Sequence, residues 1–235
     1  MNDKVVVYAG TKNVYPQMYT SLKSLLLNNQ IDRVYLLIED DEFPYPIPEN
    51  VHPFNVTEQE FFPAGSANFQ NPWSYMTMLR CVLGLLLPDE TEVLWLDIDT
   101  IIDDDITDLF SLNMNGYYYA GVMEPGKSKD VFRYINAGVL LCNLDFLRPM
   151  HKEQEMMAFL NSYKLRFLDQ DIINLLCQGR IRLIDSEYNS NDFVMLCTRP
   201  RIIHYAAKKD YLEDSLYKKY EQMELPLEVK NDGES

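Results

Sequence analysis

Two aspartates, Asp97 and Asp99, follow an apolar run of strand length that begins at Val93. Because side chains alternate between the faces of a strand, this spacing predicts that both carboxylates point the same way while Ile98 points into the core. Neighbouring carboxylates repel each other, so holding both at a strand end is costly unless a cation lies between them. One interpretation is that a magnesium or manganese ion lies between the two aspartates and holds a diphosphate. The other is that the strand ends here and the acids lie in a solvated loop.

The surrounding pattern predicts the elements that must position these acids. Apolar runs predict strands at 4–9, 34–38, 51–56, 93–102, 117–123, 135–144, 180–184 and 201–205. Helical spacing of apolar residues predicts helices at 16–28, 73–87, 150–164, 168–176 and 209–222. This alternation indicates a single α/β domain over residues 1–222, with a mostly parallel mixed sheet flanked by helices, and a polar tail over 223–235. Ligands of such folds bind at the carboxyl ends of strands, where Ala9, Gly10 and the two aspartates are expected.

The composition limits the classes of partner. The 235 residues include 21 basic and 36 acidic ones, a net charge of −15, which argues against nucleic acid and against an anionic membrane surface. Any phosphorylated ligand would need a local cation. The chain has no apolar run near the ~18 residues that span a bilayer. Four widely spaced cysteines in apolar segments predict free thiols, and together these features favour a cytoplasmic protein.

Short segments spread along the chain resemble one enzyme family. They are the residues 8–13 (YAGTKN), 77–80 (TMLR), 96–99 (LDID), 136–138 (NAG), 169–171 (DQD) and 203–205 (IHY). In this order they resemble the retaining glycosyltransferases of family 8, and the resemblance covers roughly residues 4 to 211. It implies a GT-A (Rossmann-like) fold and a nucleoside-diphospho-sugar donor, UDP-glucose or UDP-galactose, bound with manganese or magnesium.

The resemblance also implies the ligands of the cation and the donor. His204 follows an apolar strand, where an imidazole can complete a metal site with Asp97 and Asp99, although a hydrogen-bonded core histidine is the alternative. The implied donor-binding residues are Ala9, Gly10, Thr11, Asn13, Tyr15, Arg80, Ile98, Asn136, Ala137, Gly138 and Lys209. Tyr15 would stack on the base, because Val14 stands where the family has a tyrosine. Arg80 would reach the donor or form a structural ion pair.

Two residues at a predicted helix start are assigned to catalysis by the resemblance. Asp169 would hold donor-sugar hydroxyls or cap the helix, and Gln170 would lie on the β-face of the anomeric carbon. An amide is a poor nucleophile, so a front-face transfer with Gln170 positioning and stabilising is favoured over a covalent intermediate. Tyr188 and Asn189 would face the acceptor, whether glycan, lipid or protein.

Two other functions remain open from the sequence. A nucleotidyltransferase on a similar sheet usually needs a glycine-rich loop after the first strand, and Gly10 is a lone glycine there. A catalytically inactive sugar-nucleotide or glycan-binding module is compatible with Val14 and with Ala207, which stands where the family has glycine. The retained acids, His204 and Gln170 favour the enzyme.

Overall fold

The first strand–helix–strand unit forms as predicted. The structure, a computed structural model, describes residues 3–129, 132–195, 197–206, 208 and 210–226. Strand β1 (Val5–Ala9), helix α1 (Tyr15–Asn28) and strand β2 (Arg33–Ile38) follow one another, and β1 pairs in parallel with β2. A proline lies in the first turn of α1, where its missing N–H leaves no bond unmade. Met18, Leu22 and Leu25 are buried, so the predicted apolar stripe is the inner face of α1.

A seven-stranded sheet forms the centre of the fold. The later strands are β3 (Val51–Asn55), β4 (Glu92–Leu96), β5 (Thr100–Ile102), β6 (Tyr119–Val122), β7 (Val139–Asn143), β8 (Ile181–Ile184) and β9 (Ile202–His204). The sheet order is β3-β2-β1-β4-β7-β6-β8, and β5 and β9 form a separate pair. Strands β3, β2, β1 and β4 run parallel, β7 is antiparallel to both of its neighbours, and β6 and β8 are parallel. The predicted α/β fold with a mostly parallel mixed sheet is confirmed.

The predicted strand at 93–102 is two strands joined by a tight turn. Strand β4 ends at Leu96, and β5 begins at Thr100. Between them the Thr100 N–H and hydroxyl both donate to the Asp97 carbonyl, at 3.2 and 2.7 Å. The expectation that strand alternation orients the two aspartates is therefore wrong. The turn brings them together instead, while Ile98 packs against the core from a half-buried position.

The predicted helix at 73–87 is also divided. Tyr75–Cys81 is a 3₁₀ segment, and only α2 (Leu83–Leu86) is α-helical before Pro88 ends the segment. Tertiary contacts override the local preference here, because Arg80 turns inward to the Ala137 carbonyl and the Gly84 N–H donates to the Glu153 carboxylate at 2.6 Å. The tighter 3₁₀ winding is typical of short segments that tertiary contacts hold.

One of the remaining helices, at 168–176, has its predicted bounds, the helices predicted at 150–164 and 209–222 are shorter than the patterns predict, and a four-residue helix after β7 was not predicted. These helices are α3 (Leu144–Leu147), α4 (Lys152–Ser162), α5 (Leu168–Leu176) and α6 (Ser215–Gln222). The predicted helix at 209–222 begins instead with a 3₁₀ turn at Tyr211–Glu213, after which Asp214 accepts from the Leu216 N–H and caps α6. Residues 223–226 continue without helix, and the rest of the predicted tail lies outside the described residues, so the boundary at 222 stays a prediction.

Core residues cover both faces of the sheet. Along β1, Val5 and Val7 belong to one cluster, whereas Val6 and Tyr8 belong to the other. Cys81, Cys142 and Cys177 are buried free thiols and Cys197 is a half-buried one, as predicted. In the part of the chain that the structure describes, no helix is long and apolar enough to cross a membrane.

One buried acid in this core predicts a pH-dependent stability. Glu92 begins β4, is 7% exposed, and its Oε1 has no hydrogen-bond partner among the described residues. Burial raises the pKa of Glu92 to about 7, against ~4.3 in an unfolded chain. The folded state therefore binds more protons between these values, and the free energy of unfolding should fall as the pH rises through them. Glu92→Gln should remove a pH-dependent loss on the order of 3 kcal/mol. Urea unfolding of both proteins at pH 5 and pH 8 measures it, and an equal fall in both would contradict the prediction.

Candidate active site

The candidate site lies where β4 ends and β7 begins. Because β7 runs antiparallel to β4, the residues before β7 lie beside those after β4, and the Asp97 N–H donates to the Gly138 carbonyl at 2.8 Å. Strand β9 pairs with β5 so that His204 lies opposite Thr100. The Tyr205 N–H donates to the Asp99 carbonyl at 2.9 Å, which fixes the end of β9 beside the turn. Three distant parts of the chain therefore meet at one edge of the sheet.

Asp97, Asp99 and His204 form a group that could hold a metal ion. One ligand atom from each residue lies within 4.8 Å of the others. His204 Nε2 is 3.3 Å from Asp99 Oδ1 and 3.8 Å from Asp97 Oδ2. Two carboxylates and one imidazole nitrogen converging on a point are a suitable donor set for a divalent transition ion.

The electrostatics of this group favour a cation. Burial alone would lower the pKa of His204, but Asp99 and then Asp97 outweigh it and raise this pKa above its usual range. Burial alone would raise the pKa of Asp99, but His204 outweighs it and the pKa of Asp99 is lowered. The carboxylates thus stabilise a positive charge at the position of the imidazole. A divalent cation that replaced that proton would be stabilised by the same field.

Gly138 makes room for the His204 ring. A Cβ added at Gly138 would lie 2.0 Å from Cε1 and 2.6 Å from Nδ1 of His204. Any larger residue would therefore have to displace the imidazole, because real Cβ atoms do not approach so closely. The glycine of the NAG segment is required by the histidine, a contact that the sequence pattern alone does not show.

The other nitrogen of His204 contacts Asn189. His204 Nδ1 and Asn189 Oδ1 are 2.9 Å apart, and Asn189 is 0% exposed. Its Nδ2 donates to Asn136 Oδ1 at 2.9 Å. Tyr188 is also buried, and its hydroxyl donates to Asp108 at 2.7 Å. The expectation that Tyr188 and Asn189 face an acceptor is wrong, because both side chains are buried and β9 forms hydrogen bonds along the segment that carries them.

Arg80 links the metal-binding group to the α5 residues. It is 3% exposed, and it forms ion pairs from Nη2 to Asp97 at 2.7 Å and from Nε to Asp169 at 2.9 Å. Its Nη1 donates to the Ala137 carbonyl, and its guanidinium lies 4.5 Å from the centre of the Trp95 ring. The structural ion pair, which the sequence left as one alternative, is thus present.

Asp169 and Gln170 extend from the first turn of α5 into the same cleft. Asp169 pairs with Arg80 and does not cap the helix, since Asp171 accepts from the Phe167 N–H at 2.8 Å instead. Burial raises the pKa of Asp169 to about 6, with Arg80 opposing the shift. Gln170 Oε1 accepts from the Ala137 N–H at 2.9 Å, which ties the amide to the NAG segment.

These residues surround one cleft with a cavity volume of about 240 Å³. Of the predicted site residues, it is lined by Arg80, Asp97, Asp99, Asn136, Ala137, Gly138, Asp169, Gln170 and His204. The lining also includes residues that the sequence did not single out: Trp73, Glu124, Lys127, Phe167 and Phe193. Glu124 lies two residues after β6, so its place near a strand end was a usable signal. Trp73 and Phe193 lie in irregular loops whose sequence carries no such signal.

The predicted residues near the end of β1 do not line this cleft. A Cβ at Gly10 would meet Val14 at 2.8 Å and Met18 at 2.9 Å, so this glycine allows α1 to pack closely. The Thr11 hydroxyl donates to Asn13 Oδ1. Ala9 and Ile98 are half-buried against the core, and Lys209 lies outside the described residues.

The predicted stacking role of Tyr15 is wrong. Its side chain is 4% exposed and packs against Phe43, with ring centres 5.4 Å apart. Its hydroxyl donates to Asp40 at 3.1 Å and accepts from the Glu39 N–H at 2.9 Å. Helical spacing places Tyr15 on the inner face of α1, and no ring face remains for a base.

Comparisons with known proteins find glycosyltransferases among the relatives of this chain. The GlyA glycosyltransferase of Streptococcus pneumoniae serotype 4 is 26% identical over 201 residues, which are 79% of this chain and 28% of GlyA. The lipopolysaccharide 1,2-glucosyltransferase of Escherichia coli K12 is 27% identical over 217 residues, which are 79% of this chain and 61% of that enzyme. The chain therefore spans less than two thirds of either relative.

A solved structure and a family profile cover nearly all of the chain. The crystal structure of galactosyltransferase LgtC in complex with donor and acceptor sugar analogues matches with a TM-score of 0.71 at 20% identity, over 92% of this chain and 95% of that one. This likeness shows the GT-A fold. The sequence profile described as Glycosyl transferase family 8 matches residues 5–209. The chain therefore belongs to glycosyltransferase family 8.

Proposed function

We propose that this protein is a metal-dependent retaining glycosyltransferase that moves a hexose from UDP-glucose or UDP-galactose to a glycan, lipid or protein acceptor. The observation that carries the proposal is a single cleft that brings a carboxylate–imidazole group together with Asp169 and Gln170. The first set suits a cation and a diphosphate, and the second suits the hydroxyls and anomeric carbon of a sugar. Family membership supports the same chemistry.

Asp97, Asp99 and His204 would hold the cation, manganese or magnesium. The carboxylates suit both ions, and the imidazole favours manganese, the softer of the two. When bound, the ion supplies positive charge for the diphosphate leaving group. That charge is needed because the chain carries a net charge of −15, which repels a free diphosphate.

The rest of the donor would extend from this group towards β1. Asn136, Ala137 and Gly138 line the cleft, where small residues let a sugar approach the backbone. Ile98 lies 3.7 Å from the Cβ position of Gly10, so the cleft and the end of β1 form neighbouring surfaces. We assign the nucleotide to that end, with Ala9, Gly10, Thr11 and Asn13 against the base and ribose. Lys209 would contact the phosphates.

Asp169 and Gln170 would act on the donor sugar. Asp169 is held by Arg80 at 2.9 Å, which fixes its second oxygen for sugar hydroxyls. The Gln170 amide is fixed by the Ala137 N–H, and a neutral amide dipole can stabilise developing positive charge without forming a bond. These features support a front-face transfer, in which the acceptor hydroxyl attacks from the side that the diphosphate leaves.

The proposal is tested by nucleotide release from a panel of UDP-sugars, with and without manganese, followed by mass spectrometry. We expect manganese-dependent release of UDP from one or two hexose donors. Asp99→Asn should weaken manganese-dependent UDP binding about 100-fold or more, because it removes a charged ligand. Asp104→Asn is the matched control, since Asp104 is exposed in the following loop.

Two outcomes would overturn parts of the proposal. Unchanged UDP affinity in Asp99→Asn would remove this residue from the metal site. Tight binding of a UDP-sugar without release, across a set of glycan, lipid and protein acceptors, would favour the inactive binding module.

A further inference from the structure

Glu124 is a buried acid that contacts Asn136 and Gln170, two residues that line the candidate site. It lies two residues after β6, is 2% exposed, and its Oε1 accepts from Asn136 Nδ2 at 2.7 Å and from Gln170 Nε2 at 3.2 Å. Its Oε2 pairs with Lys127 at 2.8 Å. The ammonium of Lys127 lies 3.7 Å from the centre of the Phe167 ring, which holds it over the carboxylate. One carboxylate therefore contacts two amides of the cleft.

The carboxylate determines which way these amides point. An ionised carboxylate can only accept hydrogen bonds, so both amides must turn their NH₂ groups towards Glu124. The Asn136 oxygen then faces the other way, where it accepts from the Gly138 N–H at 3.0 Å and from Asn189 Nδ2 at 2.9 Å. The orientation of one buried amide thus fixes the orientation of the next.

The same order of donors and acceptors continues to His204. Since Asn189 uses its NH₂ group towards Asn136, its oxygen must face His204 Nδ1, 2.9 Å away. Asn191 Nδ2 donates to the same Asn189 oxygen at 2.8 Å, which supports this orientation. An oxygen acceptor requires a hydrogen on Nδ1. In the neutral ring, Nε2 is then the nitrogen with a lone pair, and it is the one that lies beside Asp97 and Asp99.

A second branch leads from Glu124 to Gln170. With its NH₂ group at Glu124, the amide of Gln170 turns its oxygen to the Ala137 N–H at 2.9 Å. The Tyr134 hydroxyl, 3.4 Å from Gln170 Nε2, donates to Asp171 at 2.5 Å and so accepts from the amide. The oxygen and the NH₂ group of the Gln170 amide therefore both have partners that fix the orientation of the amide.

We propose that Glu124 is a positioning residue that fixes the tautomer of His204, through Asn136 and Asn189, and the amide orientation of Gln170. The roles in metal binding and turnover rest on the proposed function, whereas the hydrogen-bond order does not. Lys127 contributes to this positioning. Its ammonium can only donate hydrogen bonds, so the side chain of residue 124 must keep an acceptor oxygen facing it. Partners beyond the first ligands of a metal typically change affinity by ~10–100-fold when they are removed.

The decisive variant is Glu124→Gln, which keeps the shape and removes the charge. Its new amide must turn its oxygen to Lys127, so its NH₂ group faces the NH₂ groups of Asn136 and Gln170. We expect the Kd for manganese, measured by electron paramagnetic resonance, to rise ~10–100-fold. We also expect a lower kcat at saturating manganese. Glu92→Gln is the matched control: it changes another buried carboxylate and should leave both quantities unchanged.

Single-branch variants separate positioning from general damage. Asn189→Ala should raise the Kd for manganese and change kcat little at saturating metal. Gln170→Ala should lower kcat and leave the Kd for manganese unchanged. Glu124→Gln should show both defects in a protein that still unfolds in a single cooperative urea transition. Wild-type affinity and turnover in Glu124→Gln would overturn the proposal.

A spectrum of the metal-free protein tests the hydrogen-bond order without reference to catalysis. In ¹H–¹⁵N spectra of the wild type, the side-chain NH₂ protons of Asn136 and Asn189 should exchange slowly with water, and Glu124→Gln should shift both pairs. Rapid exchange in the wild type, or an unshifted spectrum in Glu124→Gln, would overturn the proposal. Shifted amides in a protein that releases no UDP would reject the proposed function and support the positioning role.

Discussion

Replacing Arg80 by methionine should lower the free energy of unfolding by about 3–5 kcal/mol at pH 8. The guanidinium is buried between Asp97 at 2.7 Å and Asp169 at 2.9 Å, and a methionine of similar length supplies no charge. Two carboxylates would then lose their buried cation. The Trp95 N–H also donates to Asp97 Oδ1 at 2.9 Å, but this neutral contact cannot replace the ion pair.

The loss should depend on pH in a defined direction. The pKa of Asp169 is about 6 with Arg80 present, because burial raises it and Arg80 opposes the shift. Without Arg80 the pKa rises further, so the folded state of the variant binds a proton that the wild type has released. A raised carboxyl pKa costs stability as the pH rises, so the difference between the two proteins should be larger at pH 8 than at pH 5. Urea unfolding at both values measures it.

A double variant isolates the cause. Arg80→Met combined with Asp169→Asn should be more stable at pH 8 than Arg80→Met alone, because the amide needs no cation. Arg80→Lys keeps a charge but cannot contact both acids in the same way, so an intermediate stability is expected. Equal stability of Arg80→Met and the wild type would show that neither carboxylate depends on the guanidinium.

The sequence predicted the parts of the site that follow from strand ends. Apolar runs locate buried strands, and the carboxyl ends of parallel strands meet at one edge, so the pattern alone assigns Gly10 and the two aspartates to the same edge of the sheet. His204 was predictable for the same reason, as a polar residue that ends an apolar strand. The fold class followed from the alternation of strand and helix patterns.

The contacts that fix these residues could not be predicted in the same way. Asn189 lies in a polar loop, and its burial depends on β9 pairing with the neighbouring Ser190, a tertiary contact with no local pattern. Glu124 and Gln170 are 46 residues apart, and their hydrogen bond depends on the order of β6, β7 and α5. The spacing of apolar residues also predicted one helix at 73–87. Tertiary contacts instead produce a 3₁₀ segment there, which carries Arg80.

Gly138→Ala should weaken manganese binding about 100-fold or more although it adds only one methyl group. The new Cβ would lie 2.0 Å from Cε1 and 2.8 Å from Nε2 of His204, and these distances are too short for any packing. The backbone of His204 is held by the β5–β9 pair, so the ring must move. Movement takes Nε2 away from Asp97 and Asp99 and breaks the contact of Nδ1 with Asn189 at 2.9 Å. A rise of about 100-fold or more in the Kd for manganese is expected, the upper end of the range for altered metal surroundings.

Stability and metal binding should separate when the clash is removed. Gly138→Ala alone should lose about 1–3 kcal/mol of stability from overpacking. Adding His204→Ala makes room for the methyl group, so the double variant should regain stability while manganese binding stays lost. Gly65→Ala is the control, since a Cβ there meets nothing within 4 Å. If Gly138→Ala binds manganese like the wild type, His204 is not a ligand. If Gly138→Ala loses manganese binding and the double variant regains only stability, the imidazole is the ligand and the glycine is there to accommodate it.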